Sequence, residues 1–171
     1  AGEYEVFVSA GDRLGKPEIA LPIEGDDGSR RYRVGRLAVT GDYRADLKEA
    51  KLDGGKLSLT LAFAVHRPLP EGAALFFHVD VGGKLVQAGG LPEGDTQAAA
   101  LRTAGAVIKH VMALPALKPG EVAEVRVGLW VPARIGKPDE RLMADNGQSD
   151  RRVLLGCLKA GPNGELTFEP K

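Results

Sequence analysis

The stretch KLSLTLAFAVH, residues 56–66, decides the fold class. Leu57, Leu59, Leu61, Phe63 and Val65 recur at every second position, a period that lays one apolar face along a β-strand. Asp53-Gly54-Gly55 sets a turn before it, and the moderately alternating ADLKEAKL, residues 45–52, precedes that turn. After it, RPLPEG at 67–72 leads into AALFFHVDV at 73–81, which reads as the antiparallel partner of 56–66. In that partner Phe77, Val79 and Val81 share one face, while Phe76, His78 and Asp80 share the other, half-exposed one. Gly82-Gly83 turns the chain into KLVQA, and VIKHVMAL, AEVRVGLWV and RRVLLGCLKA follow, with GELTF at 164–168 as a short edge strand. Residues 95–103, DTQAAALRT, read as the one helical turn. About seven principal strands at turn-punctuated spacing predict an all-β fold, an antiparallel immunoglobulin-like β-sandwich over residues 43–171.

The closing part of that pattern, residues 125–160, has a weaker copy at the start of the chain. Residues 13–39 laid over 134–160 without a gap, at an offset of 121 (134 − 13), match Arg13, Gly15, Lys16, Pro17, Leu21, Arg30, Arg31, Gly35 and Leu37 to identical residues. Self-similarity of this kind is the mark of a duplicated structural unit. Tyr4, Val6 and Val8 alternate with Glu5, Phe7 and Ser9, a long loop carries the turn residues 24–28, and residues 31–39 return as a strand. Residues 1–42 therefore read as a partial repeat forming a long-looped β-hairpin. A two-stranded hairpin is marginal alone in water, so it is expected to extend the sheet of the larger domain or to engage a partner chain.

A chain of 171 residues, 43% hydrophobic, has enough apolar material for one sizeable core. Lysine plus arginine balances aspartate plus glutamate at 23 each, which removes the long-range field that gathers nucleic acid or anionic lipid. No apolar run approaches the roughly 18 residues of a membrane span, so this chain is not expected to insert in a membrane. The opening AGEYEVFVSA lacks the basic, apolar pattern of a signal peptide and starts in strand-like sequence, as a mature or excised piece of a larger polypeptide would. The single Cys157 excludes an internal disulfide and a cysteine-built zinc site, and its apolar context reads as a small buried thiol.

Candidate chemistry is sparse. His66, His78 and Asp80 raise a metal reading. If 67–72 joins neighbouring strands, His78 lies opposite about residue 62, roughly 13 Å from His66 at about 3.3 Å per residue, too far for one shell of ligands. No metal site and no cofactor are expected. The acidic-glycine loops 24–29 and 145–150 lack full calcium-ligand spacing and read as plain turns. Ser9, Ser29, Ser58 and Ser149 lie outside any nucleophile elbow, and no glycine-rich phosphate cradle opens a helix, so catalysis is not expected. Trp130 shares the parity of Glu124, Arg126 and Gly128, the face that reads as solvated, and the gapless overlay gives it Ser9 as counterpart. Either the loop 132–148 covers it, or Trp130 with Arg126 forms a platform on which a sugar ring stacks.

Residues 52–92, LDGGKLSLTLAFAVHRPLPEGAALFFHVDVGGKLVQAGGLP, together with VRVGLWVP and RLMADNGQSDRRVLLGCLKA, resemble the extracytoplasmic β-sandwich domains that follow the membrane spans in some bacterial membrane glycosyltransferase-like proteins. YEVFVSAGDRLGKPEIALPIEGDDGSRRYRVGRLAV resembles the closing portion of the same domains. The resemblance implies an accessory part lying outside the membrane, not a transferase core. The expected function is thus a non-catalytic, extracytoplasmic or periplasmic accessory or interaction module, its partner another protein or the remainder of a larger polypeptide. The alternative is a carbohydrate-binding module using Trp130.

Overall fold

The computed structural model describes residues 2–11, 16–91, 99–101, 106–133 and 138–171. The described strands pair antiparallel throughout, and the chain divides into two compact units, Ala1–Thr40 and Gly41–Lys171. Most of the helical turn expected at 95–103 lies outside the described residues. Among the described residues no helix is long and apolar enough to cross a membrane.

In the first unit, β1 (Gly2–Val8) pairs antiparallel with β4 (Tyr32–Val39), and the intervening loop carries the short ladder of β2 (Ala10–Gly11) with β3 (Pro17–Ile19). The turn before β4 is closed by local side chains: Asp26 Oδ1 accepts from the amides of Gly28 and Arg30 at 2.9 Å each, and the Asp27 amide donates to the Arg31 carbonyl at 3.0 Å. Carboxylates used in this way serve the turn.

The second unit contains β5 (Tyr43–Asp53), β6 (Lys56–Val65), β7 (Ala74–Val81), β8 (Lys84–Gly90), β9 (Ala106–Ala113), β10 (Val122–Val131), β11 (Glu140–Arg141), β12 (Val153–Ala160) and β13 (Leu166–Pro170). One sheet runs β5-β6-β9 and the other β13-β12-β10-β7-β8, with β11 pairing the end of β10. The period-two faces read from the sequence meet in one core: Leu57, Leu59, Leu61 and Ile108 from the first sheet, Phe77, Val79, Val125, Val127, Leu129 and Leu155 from the second, all at most 2% exposed. Gly54 and Gly55 take φ of 52° and 75° in the turn joining β5 to β6, a region where a Cβ is strained.

One expected pairing is corrected. β7 is not the partner of β6; it pairs with β8 and β10 in the other sheet. Both edges of β6 are already taken, by β5 and β9, so the chain after Val65 has to cross between sheets. The beginning of β5 is fastened to the segment before β12: Asp42, 7% exposed, accepts from the Met143 amide at 2.7 Å, and Asn146 bonds the Ala45 backbone. Tyr43 is fully buried, stacks on Phe63, and its hydroxyl accepts from the Leu129 amide at 3.3 Å. Burial pushes its phenol well above the ordinary range.

Candidate ligand groove on the outer face

The six-stranded sheet has a second face, turned away from the core, on which β7 and β10 lie in register. Glu124 stands opposite Asp80, Arg126 opposite His78, Gly128 opposite Phe76, and Trp130 opposite Ala74. The first two pairs build a charged half and the last two an aromatic half.

In the charged half, Arg152 reaches from the start of β12 to Asp80 Oδ2 at 2.6 Å and to Asp150 Oδ2 at 2.6 Å. Arg126 pairs with Glu124 Oε2 at 2.5 Å, bonds the side-chain oxygen of Gln148, and approaches Asp80 Oδ2 at 3.5 Å. Asp80 and Arg126 are 3% and 8% exposed, which corrects the expectation of a solvated face. The loop ahead of β12 brings Gln148, Asp150 and Arg152 onto it. Burying charges costs stability unless each finds a partner, and here two guanidinium groups meet three carboxylates. Among the described residues, Arg126 Nε alone is buried without a hydrogen bond. Burial holds Asp150 up, but its bonds to Arg152 outweigh this and bring its carboxyl below the usual range. His78 Nδ1 lies 3.0 Å from an Arg152 nitrogen, which can only donate. Burial, reinforced by that guanidinium, lowers the imidazole pKa.

The aromatic half borders a groove of about 550 Å³, lined by Phe76, His78, Trp130, Asp139 and Arg141 together with the small residues Ala88, Gly89 and Gly90 of β8. Gly128 makes room for the wall: a Cβ there would stand 2.3 Å from Phe76 Cζ. Phe76, in turn, packs against His78 with centroids 4.6 Å apart and lies under the Arg141 guanidinium at 5.7 Å. An aromatic wall with one guanidinium and one carboxylate suits a ligand that offers an apolar face and hydroxyl groups at its rim.

Trp130 is half-buried and lines the groove, whereas Arg126 lies outside its lining, held by Glu124, Gln148 and Asp80. His66 is separate from His78 and pairs with Asp145 Oδ2 at 2.5 Å. The Gly41 amide, followed by His66, draws the Asp145 pKa down. Among the described residues no three His, Cys, Asp or Glu side chains gather as metal ligands. Cys157 is half-buried, more exposed than its apolar run implied, because its parity puts it opposite Glu124. No protein-family model, curated protein or solved structure matches the chain. Phe76, Asp139 and Arg141 were not singled out from the sequence. The available signal was Gly128, an unexplained glycine inside a β-strand, which often marks a close approach of another group.

Proposed function

We propose that the chain is a non-catalytic, immunoglobulin-like accessory module that works by binding through this outer face. The strand order supports the fold: counting from β5 and leaving aside the two-residue β11, the first, second and fifth strands make one sheet, and the third, fourth, sixth and seventh make the other, with β13 added at its edge. That is the immunoglobulin-type division, with the fourth strand added beside the third. The observation that carries the binding role is the pairing of charges. Asp80, Glu124, Asp150, Arg126 and Arg152 are spent on one another, while the adjoining groove offers aromatic rings and the Asp139 and Arg141 side chains. Such a face recognises a partner without supplying a nucleophile and base. The extracytoplasmic placement rests on the resemblance of residues 52–92 and 141–160 to accessory domains outside the membrane.

The partner in this reading is the remainder of a larger polypeptide or another protein. A second reading, that the partner is a sugar, is favoured by the position of Trp130 in the groove wall. Trp130 is the only tryptophan, so its fluorescence reports the groove directly. With a protein partner, no sugar of a glycan panel at millimolar concentration changes its emission, and iodide quenching of Trp130 is weaker in the longer polypeptide than in this chain. A saturable response to one sugar transfers the assignment to carbohydrate binding. Equal quenching in both polypeptides, with no response to any sugar, sinks the sugar and the remainder of the polypeptide as partners; quenching that is also unchanged in a lysate of the source cells sinks the separate protein.

A further inference from the structure

We infer that Ala1–Thr40 is the closing hairpin of a further sandwich built like Gly41–Lys171, and that its apolar face is the docking surface for the earlier strands of that sandwich, supplied by polypeptide preceding residue 1. The two hairpins agree in details that simple strand pairing does not require. In the first, Val6 pairs with Gly35 and Phe7 with Arg33, leaving Val34 as the extra residue of a bulge. In the second, Val125 pairs with Gly156 and Arg126 with Leu154, leaving Leu155. Val34 and Leu155 are the same position at the offset of 121 (155 − 34). So are Arg30 and Arg151, the two non-glycine residues with positive φ among the described residues, at 57° and 65°. The bond from the Asp27 amide to the Arg31 carbonyl recurs from the Gln148 amide to the Arg152 carbonyl, at 2.8 Å. A bulge and a left-handed residue at matched places are designed features of a fold.

The register also corrects the gapless overlay. On the outgoing strand the equivalent offset is 119 (125 − 6), so β1 is displaced by two residues and every side chain keeps its face. Tyr4, Val6 and Val8 then correspond to Ala123, Val125 and Val127, and Val34 and Leu37 to Leu155 and Leu158. The residues of the second hairpin are at most 2% exposed; those of the first are 39% to 57% exposed. Ile23 is 46% exposed where its counterpart Ala144, bridged to Tyr43 at the start of β5, is 3% exposed. The second unit shows what covers such a hairpin. The sheet β5-β6-β9 lies on its apolar face with Leu57, Leu59, Leu61 and Ile108, and β7 pairs its outer edge. All of those strands precede β10 in the chain, within residues 41–121, which commits the missing half to the preceding polypeptide and defines it as an antiparallel sheet with an alternating aliphatic face.

The test compares amide hydrogen exchange in this chain and in a chain extended upstream by its own preceding residues, about eighty by analogy with 41–121. In the extended chain the β1 and β4 amides should exchange at least about a hundredfold more slowly, while those of β10 and β12 stay unchanged. Equal exchange of β1 and β4 in the two chains overturns the inference. Protection that appears in the present chain and rises with its concentration also overturns it, because a second copy would then be the occupant.

Discussion

Gly128→Ala tests the geometry of the groove most directly. The added methyl would stand 2.3 Å from Phe76 Cζ and 2.6 Å from Cε1, against about 3.7 Å for a relaxed carbon contact, so the ring has to retreat by roughly 1.4 Å. Phe76 is 8% exposed, with the sheet beneath it and Arg141 above, and the open space beside it is the groove. Driving half of the ring's roughly 200 Å² of buried surface into that space costs about 2.5 kcal/mol at about 25 cal/mol per Å². Alanine recovers about 0.5–1 kcal/mol over glycine in a strand, which leaves a net loss near 2 kcal/mol. With a urea dependence of about 2 kcal/mol per molar, the unfolding midpoint followed by Trp130 fluorescence should fall by about 1 M. The double variant Gly128→Ala with Phe76→Ala has no ring to displace, so its loss should be less than the sum of the two single losses by at least about 1 kcal/mol. A neutral Gly128→Ala, or strict additivity in the cycle, refutes the contact and with it the account of the groove wall.

Two further outcomes follow from the charged half. Asp80→Ala should cost about 3 kcal/mol in urea unfolding, because it removes the one buried carboxylate that faces both guanidinium groups and leaves Arg152 only Asp150 and Arg126 only Glu124 and Gln148, whereas Glu124→Ala, whose side chain is 37% exposed, should cost under about 1 kcal/mol. Stability should also fall as pH drops through the ordinary histidine value of 6.5. Burial lowers the pKa of both His78 and His110 in the folded chain, so below 6.5 the unfolded chain binds protons that the folded chain refuses. The loss deepens until pH passes the folded-state values, and a urea midpoint constant between pH 7 and pH 5 would contradict it.

The core was legible because half-buried strands write their burial as alternation: Leu57, Leu59, Leu61 and Phe63 all face inward as their spacing requires. Which strands would be neighbours was less legible. The edge of β6 that β7 might have occupied is claimed by β9, whose sequence arrives some forty residues later, and nothing within 67–72 announces that competition. The outer face was misread because Asp80, Arg126 and Glu124 look solvated one at a time. The burial of Asp80 and Arg126 depends on Arg152 and Gln148, brought over by a loop whose path is not encoded in any strand pattern. A displacement of two residues in β1 leaves the period-two pattern intact, so it too was invisible without the hydrogen-bond register.

That register separates what the two hairpins share from what only the second possesses. At the offset of 119, Glu124 corresponds to Glu5, but Arg126 corresponds to Phe7, Gly128 to Ser9 and Trp130 to Gly11. The return strands keep an arginine next to this position in both: Arg152 joins the ion pairs beside Arg126, and Arg31 lies 5.6 Å over the Phe7 ring. Both arginines hold a carboxylate, Arg31 that of Asp27 at 2.5 Å, and the hairpins differ in what lies beside it: an aromatic face in the first, the Arg126 ion pairs in the second. The inner-facing positions, by contrast, are apolar in both. A duplicated hairpin under packing constraint alone would leave the outer face free to drift, yet here glycine, tryptophan and a buried arginine have accumulated on one side of one copy. The glycine admits Phe76, the tryptophan lines the groove, and the arginine helps neutralise the surface beside it. In the proposed reading, these three residues are what place binding on the outer face of the second unit, above an inner face whose residues serve packing.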